Sequence, residues 1–241
     1  MQNRSADPLL KARDSDELQR RIGALQVVVP PRGEGRTSQH VEIYAIAQLM
    51  ATLSPDYWKF PIELIHRDRP DFLLRTRGRS IGIEHVEAVP QNEAYMAKLR
   101  EEGHGPDVHF VRHASLDEPQ LTRKQALKEI EDDDPGDGWV GDSPEREWAQ
   151  AMAHFASGKV SIANKPGYES FDETWLLIYD NWPVPNNDPR TSATYLLEQP
   201  SMSAVLERFS RLFIMDGARV WEFSGGAAAF HTLRRAGTSA G

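Results

Sequence analysis

Arg67-Asp-Arg-Pro-Asp-Phe-Leu-Leu-Arg-Thr-Arg-Gly-Arg-Ser-Ile-Gly-Ile-Glu-His-Val-Glu-Ala-Val-Pro90 is the stretch of this 241-residue sequence whose reading decides the fold. It reads as two short strands joined by a basic turn. The first, around Asp71 to Arg75, begins after Pro70; Gly78 breaks the apolar pattern, and the second opens at Ser80 and stops at Pro90. Each strand carries one acid. Side chains alternate along a strand, so Gly82, Glu84, Val86 and Ala88 share one face while Ile81, Ile83 and His85 take the other. Glu84 thus lies among small and apolar neighbours, where an ionised carboxylate requires a partner such as a metal or a cation.

Working outward, Thr37 or Ser38 caps a predicted helix that runs to about Leu53 and ends at Ser54-Pro55. At 100° per residue Glu42 shares a stripe with Ala45, Ile46 and Leu49; it either turns inward or reaches solvent from the edge of that stripe. Phe60 to His66 is a third strand. On the other side, residues 91–144 interrupt the pattern with two predicted helices, Asn92 to Glu102 and Gln120 to Glu131, and a short strand at Val108 to Val111. Asp142-Ser143-Pro144-Glu145 is a strong helix start, and the helix continues toward Asn164. Trp148, Met152, Phe155 and Ile162 form its apolar stripe, with Lys159 close to the middle. Lys159 therefore faces the core, or, if Gly158 ends the helix early, packs its stem and sends its ammonium outward. Trp175-Leu-Leu-Ile-Tyr-Asp180 is a nearly continuous apolar run, as a central strand covered on both faces requires. A helix to Phe209 and a hairpin, Leu212 to Met215 with Val220 to Phe223, close the series.

These elements imply an α/β domain over 37–224, with residues 1–36 as an N-terminal arm, 91–144 as an insertion and 225–241 as a flexible tail. No apolar run approaches a membrane span, the N-terminus lacks a basic-then-apolar signal, and there is no cysteine. A cytoplasmic protein is the expectation. Disulfide frameworks, thiolate zinc sites and cysteine nucleophiles are excluded. The net charge of -8 is concentrated in residues 91–144, which hold 13 acidic and 6 basic side chains. Arg67, Arg69, Arg75, Arg77 and Arg79 make the organising stretch locally basic, as a phosphodiester ligand demands.

Pro70-Asp71, an apolar strand, a turn and Ile-Gly-Ile-Glu84 together resemble the PD-(D/E)xK nuclease superfamily, which has the restriction-endonuclease-like fold. The resemblance covers residues 37–90 and 145–180. It implies a core of helix, three strands, helix and strand, here with a large acidic insertion and a C-terminal hairpin. It also implies hydrolysis of nucleic acid, DNA before RNA, with magnesium or manganese as cofactor, and leaves room for a homodimer. Asp71 and Glu84 would be the metal ligands, the carbonyl of Val86 and the carboxylate of Glu42 would extend the shell, and Arg75, Arg77 and Arg79 would meet phosphates. The family's lysine, two residues after the acid, is Val86 in this chain. Resembled nucleases that lack that lysine present one from the helix after the third strand, a role open to Lys159 and, second, to Lys165. Two rival readings stand beside this one. The first is a domain that keeps the fold without cleavage and binds nucleic acid or a protein. The second is a hydrolase acting through His85, His113 or His154, for which the sequence holds no serine or cysteine nucleophile signature.

Overall fold

The structure, a computed structural model, describes residues 7–25, 27–185 and 187–236. The central hairpin forms as its punctuation demands. Strand β3 (Phe72–Thr76) and strand β4 (Arg79–Ala88) pair antiparallel, with Thr76 opposite Arg79 as the last pair, leaving Arg77-Gly78 as a two-residue turn. Gly78 has φ 76°, the left-handed backbone that glycine adopts without strain. Before the hairpin come strand β1 (Leu10–Ala12), helix α1 (Ser15–Ala24), helix α2 (Ser38–Thr52) and strand β2 (Ile62–His66). After it come helices α3 (Gln91–Glu101), α4 (Arg123–Asp132) and α5 (Ser143–Ala163), then strand β5 (Glu173–Asp180). Helices α6 (Pro189–Leu197) and α7 (Met202–Arg208) precede strands β6 (Arg211–Met215), β7 (Arg219–Ser224) and β8 (Ala227–Thr232).

The eight strands form one open sheet in chain order, β1 to β8. The pairs β4–β5 and β5–β6 are parallel and every other pair is antiparallel. Parallel neighbours need crossover connections, and these two carry α5, α6 and α7, the helices that cover one face of the sheet. One face packs on α1 and α2, through Leu18, Ile22, Ile46 and Leu49 against Phe72, Ile83, Leu177 and Phe213. The other packs on α5, α6 and α7, through Trp148, Met152, Leu196 and Val205 against Leu176, Ile178, Leu212 and Ile214. Strand β5 therefore alternates between two apolar layers, which is why its sequence is apolar almost throughout. Within the insertion, α3 and α4 bury Met96, Leu99, Ala126 and Ile130 in a small core of their own.

The structure departs from the sequence reading at four places. Leu10–Ala12 of the N-terminal arm adds strand β1 to the edge of β2. Residues 227–232, expected as tail, pair with β7, because Gly225 and Gly226 at φ 57° and 79° make the tight turn that returns the chain along an open strand edge. Helix α6 was not anticipated although its start is written locally: Asp188 accepts from Thr191 N at 3.0 Å and Pro189 follows in the first turn. Val108 to Val111, expected as a strand, is irregular and exposed. β-branched residues alone do not make a strand without an edge to pair with.

Candidate active site

Asp71 immediately precedes β3, and the register that sets Phe72 opposite Ile83 brings Asp71 level with Glu84. Both carboxylates turn to the face covered by α5. That helix runs unbroken through Gly158, so Lys159 stays on its inner side. Its Nζ donates to Asp71 Oδ2 at 3.0 Å and to Glu84 Oε2 at 2.8 Å. The group is withdrawn from solvent: the Glu84 side chain is 3 % exposed, that of Lys159 15 % and that of Asp71 17 %. Ile162, expected in the same stripe, is instead 37 % exposed on the last turn, where Ala163 is the buried residue.

The charges explain one another. Burial alone would lower the Lys159 pKa, but the charges and hydrogen bonds of Asp71 and Glu84 outweigh it and the net shift is upward. Lys159 is therefore a fixed cation at neutral pH. Burial pushes the Asp71 carboxyl up, against the opposing pull of Lys159 and of the His85 amide, which donates to Asp71 Oδ2 at 2.6 Å. The remaining oxygen of Glu84, Oε1, accepts from the hydroxyl of Tyr168 at 2.8 Å. Burial, followed by the Glu84 charge, drives the Tyr168 phenol well above its ordinary range, so it keeps its proton and donates it to Glu84. Sequence reading missed Tyr168. Its signal would have been an aromatic flanked by Pro166-Gly167 directly after the lysine-bearing helix, and that pattern by itself points nowhere.

The other expected residues lie apart from this cluster. Glu42 does turn inward, but its Oε2 meets His66 Nε2 at 2.7 Å, and that bond holds its pKa down. His85 points to the same face as Glu42, where burial pushes it down to about 3, so it stays neutral. Its Nε2 has no hydrogen-bond partner among the described residues. Val86 packs its side chain into the layer under α5. Peptide groups alternate sides along a strand: with the His85 amide turned to Asp71, those of Val86 turn toward β5. The backbone ligand expected from Val86 therefore has no geometric support. Lys165 is exposed and touches neither carboxylate. Arg75 pairs with Glu63 at 2.9 Å and Arg79 with Glu173 at 2.6 Å, while Arg77 at the tip has no such pair among the described residues. This tip stands at the far end of β3 from Asp71, about 20 Å away at a strand's rise per residue.

Two carboxylates meeting at one cation position suit a hard divalent ion, which takes oxygen ligands. Lys159 holds that position here. A third acidic or histidine ligand is missing: among the described residues no cluster of three or more such side chains is set to hold a metal. The fit is to a two-carboxylate site whose remaining ligands are water and substrate oxygens, the usual way magnesium is held. No helix among the described residues is long and apolar enough to cross a membrane. Compared with family models, with curated proteins and with solved structures, the chain matches none of them.

Proposed function

We propose that this protein hydrolyses phosphodiester bonds of nucleic acid as a PD-(D/E)xK-like nuclease, with Asp71, Glu84 and Lys159 as its reactive group. The observation that carries the reading is the contact of Lys159 with both carboxylates. The lysine absent from the strand at Val86 is supplied by α5, the first helix after the insertion and the one that leads into β5. The order of elements supports it as well: helix α2, antiparallel strands β2, β3 and β4, helix α5, then β5 parallel to β4. That is the order implied by a restriction-endonuclease-like core.

Asp71 and Glu84 are the residues that would hold magnesium or manganese, and such an ion supplies charge neutralisation at the phosphate. Lys159, with its raised pKa, keeps its proton and so acts as a charge, not as a base. It orients the attacking water and stabilises the negative charge that grows on the phosphoryl oxygens. Asp71, held through Oδ2 by Lys159 and the His85 amide, keeps Oδ1 without a hydrogen bond among the described residues, open to a ligand or a water. The test is cleavage of labelled single- and double-stranded DNA and RNA with magnesium or manganese, by wild type and Glu84→Gln. Cleavage by wild type alone supports the reading. Retained binding with no cleavage under either ion would replace it with that of a nuclease fold used only for binding.

A further inference from the structure

Between α5 and β5 the chain passes over the site in residues 164–172. Lys165 to Gly167, Glu169 and Ser170 are exposed, while Tyr168 and Phe171 turn inward. This segment is pinned to one face of β4. Asp172 Oδ2 accepts from Ser80 N at 2.7 Å and Ser80 Oγ at 2.8 Å. Two residues further along β4, the Phe171 ring lies directly on Gly82: a Cβ there would stand 2.6 Å from Phe171 Cδ2, so only glycine admits the ring. Another two residues along stands Glu84, bonded to the Tyr168 hydroxyl. Arg67 closes the outer side through Glu169, 2.7 Å away. The Tyr168 ring is held between the edge-on ring of Phe171, with centroids 6.4 Å apart, and the Arg208 guanidinium 4.9 Å from its centroid.

A glutamate has three rotatable side-chain bonds, and a single ion pair leaves its carboxylate free to turn. Glu84 instead receives Lys159 at Oε2 and Tyr168 at Oε1, two donors that fix the plane of the group. We infer that Tyr168 is a positioning residue: its hydroxyl, aimed by the Phe171–Gly82 contact, keeps Glu84 converging with Asp71 when a divalent ion replaces the ammonium between them. The identity of the ion rests on the nuclease reading. The hold of Tyr168 on Glu84 does not.

The experiment measures manganese binding alone by calorimetry, well below the melting temperature, together with the carbon-13 signal of the Glu84 carboxyl in metal-free protein. Tyr168→Phe removes only the hydroxyl and keeps the ring against Arg208 and Phe171. It should weaken manganese binding by about 10- to 100-fold, the usual effect of losing a residue that orients a ligand, and shift the Glu84 carboxyl signal. Gly82→Ala pushes Phe171 off β4 with the hydroxyl intact, and should weaken manganese binding in the same direction. A hydroxyl that served the fold alone would lower the melting temperature and leave the manganese affinity of the folded protein as in wild type; that result overturns the inference. An unmoved Glu84 signal in Tyr168→Phe overturns it too. If wild type takes up no manganese while the Glu84 signal still moves in Tyr168→Phe, the nuclease reading fails and the hold of Tyr168 on Glu84 stands.

Discussion

Lys159 Nζ lies 2.8 Å from Glu84 Oε2 although 75 residues separate the two. Nearly all of the intervening chain is insertion and helix, and the contact exists because β4 and β5 are parallel. A parallel pair must be joined by a crossover, and α5 is the part of this crossover that packs on the face carrying Glu84.

The contact sets the expected behaviour of Lys159→Ala. Removing the ammonium leaves the buried Glu84 facing the part-buried Asp71, a loss of up to about 3–5 kcal/mol, the range for a broken buried pair. Urea denaturation should show that loss, and turnover measured on folded protein should fall by about 100-fold or more. Because the pKa of Lys159 is raised, its stabilising contribution is complete below the ordinary lysine value. It is lost only as pH climbs through the raised one. Cleavage by Lys159→Ala at the wild-type rate would remove the lysine from the mechanism.

The carboxylates should be separable from the lysine by ion binding. Manganese at 100 times its dissociation constant should stabilise wild type by about 2.7 kcal/mol. Neither Asp71→Ala nor Glu84→Ala should respond. A full response in both variants would place the ion elsewhere.

A second, part-buried acid predicts a pH dependence. Asp180, at the end of β5, accepts from Trp148 Nε1 at 2.5 Å and from Trp182 N at 3.0 Å, yet burial raises its pKa to about 6. A raised carboxyl pKa means that the folded state favours the protonated form, so stability falls as pH rises from about 4 through 6. Asp180→Asn should flatten that slope and recover about 2 kcal/mol of it. A melting-temperature profile from pH 4 to 8 with the same slope in both proteins would contradict the assignment.

On the surface, the three hairpin arginines are expected to contribute unequally to nucleic-acid binding. Arg75 and Arg79 already face Glu63 and Glu173. Arg77→Gln should lower the salt slope of binding by about 0.7–0.9, and Arg75→Gln and Arg79→Gln by less. Equal effects from all three would show that the glutamates yield to phosphate.

The sequence by itself determined the parts that depend on neighbours along the chain. Pro70, Gly78 and Pro90 delimit the β3–β4 hairpin, alternation puts Glu84 on the face opposite His85, and helical periodicity sets Lys159 near the middle of an apolar stripe. Each of these follows from backbone sterics and side-chain direction over a few residues. Tertiary structure decided which partners those side chains meet. Glu42 faces inward, one of the two orientations its stripe allows, but it finds His66 and not the carboxylates, since α2 covers one face of the sheet and α5 the other. Lys159 rather than Lys165 reaches the acids because α5 runs unbroken through Gly158, with Trp148, Ala149, Met152 and Ala156 of the helix packed in the core. Tyr168 and the added strands β1 and β8 carry no local signature of their roles. A hydroxyl over a buried glutamate, or a short segment beside an open strand edge, acquires its function from surface that another part of the chain presents.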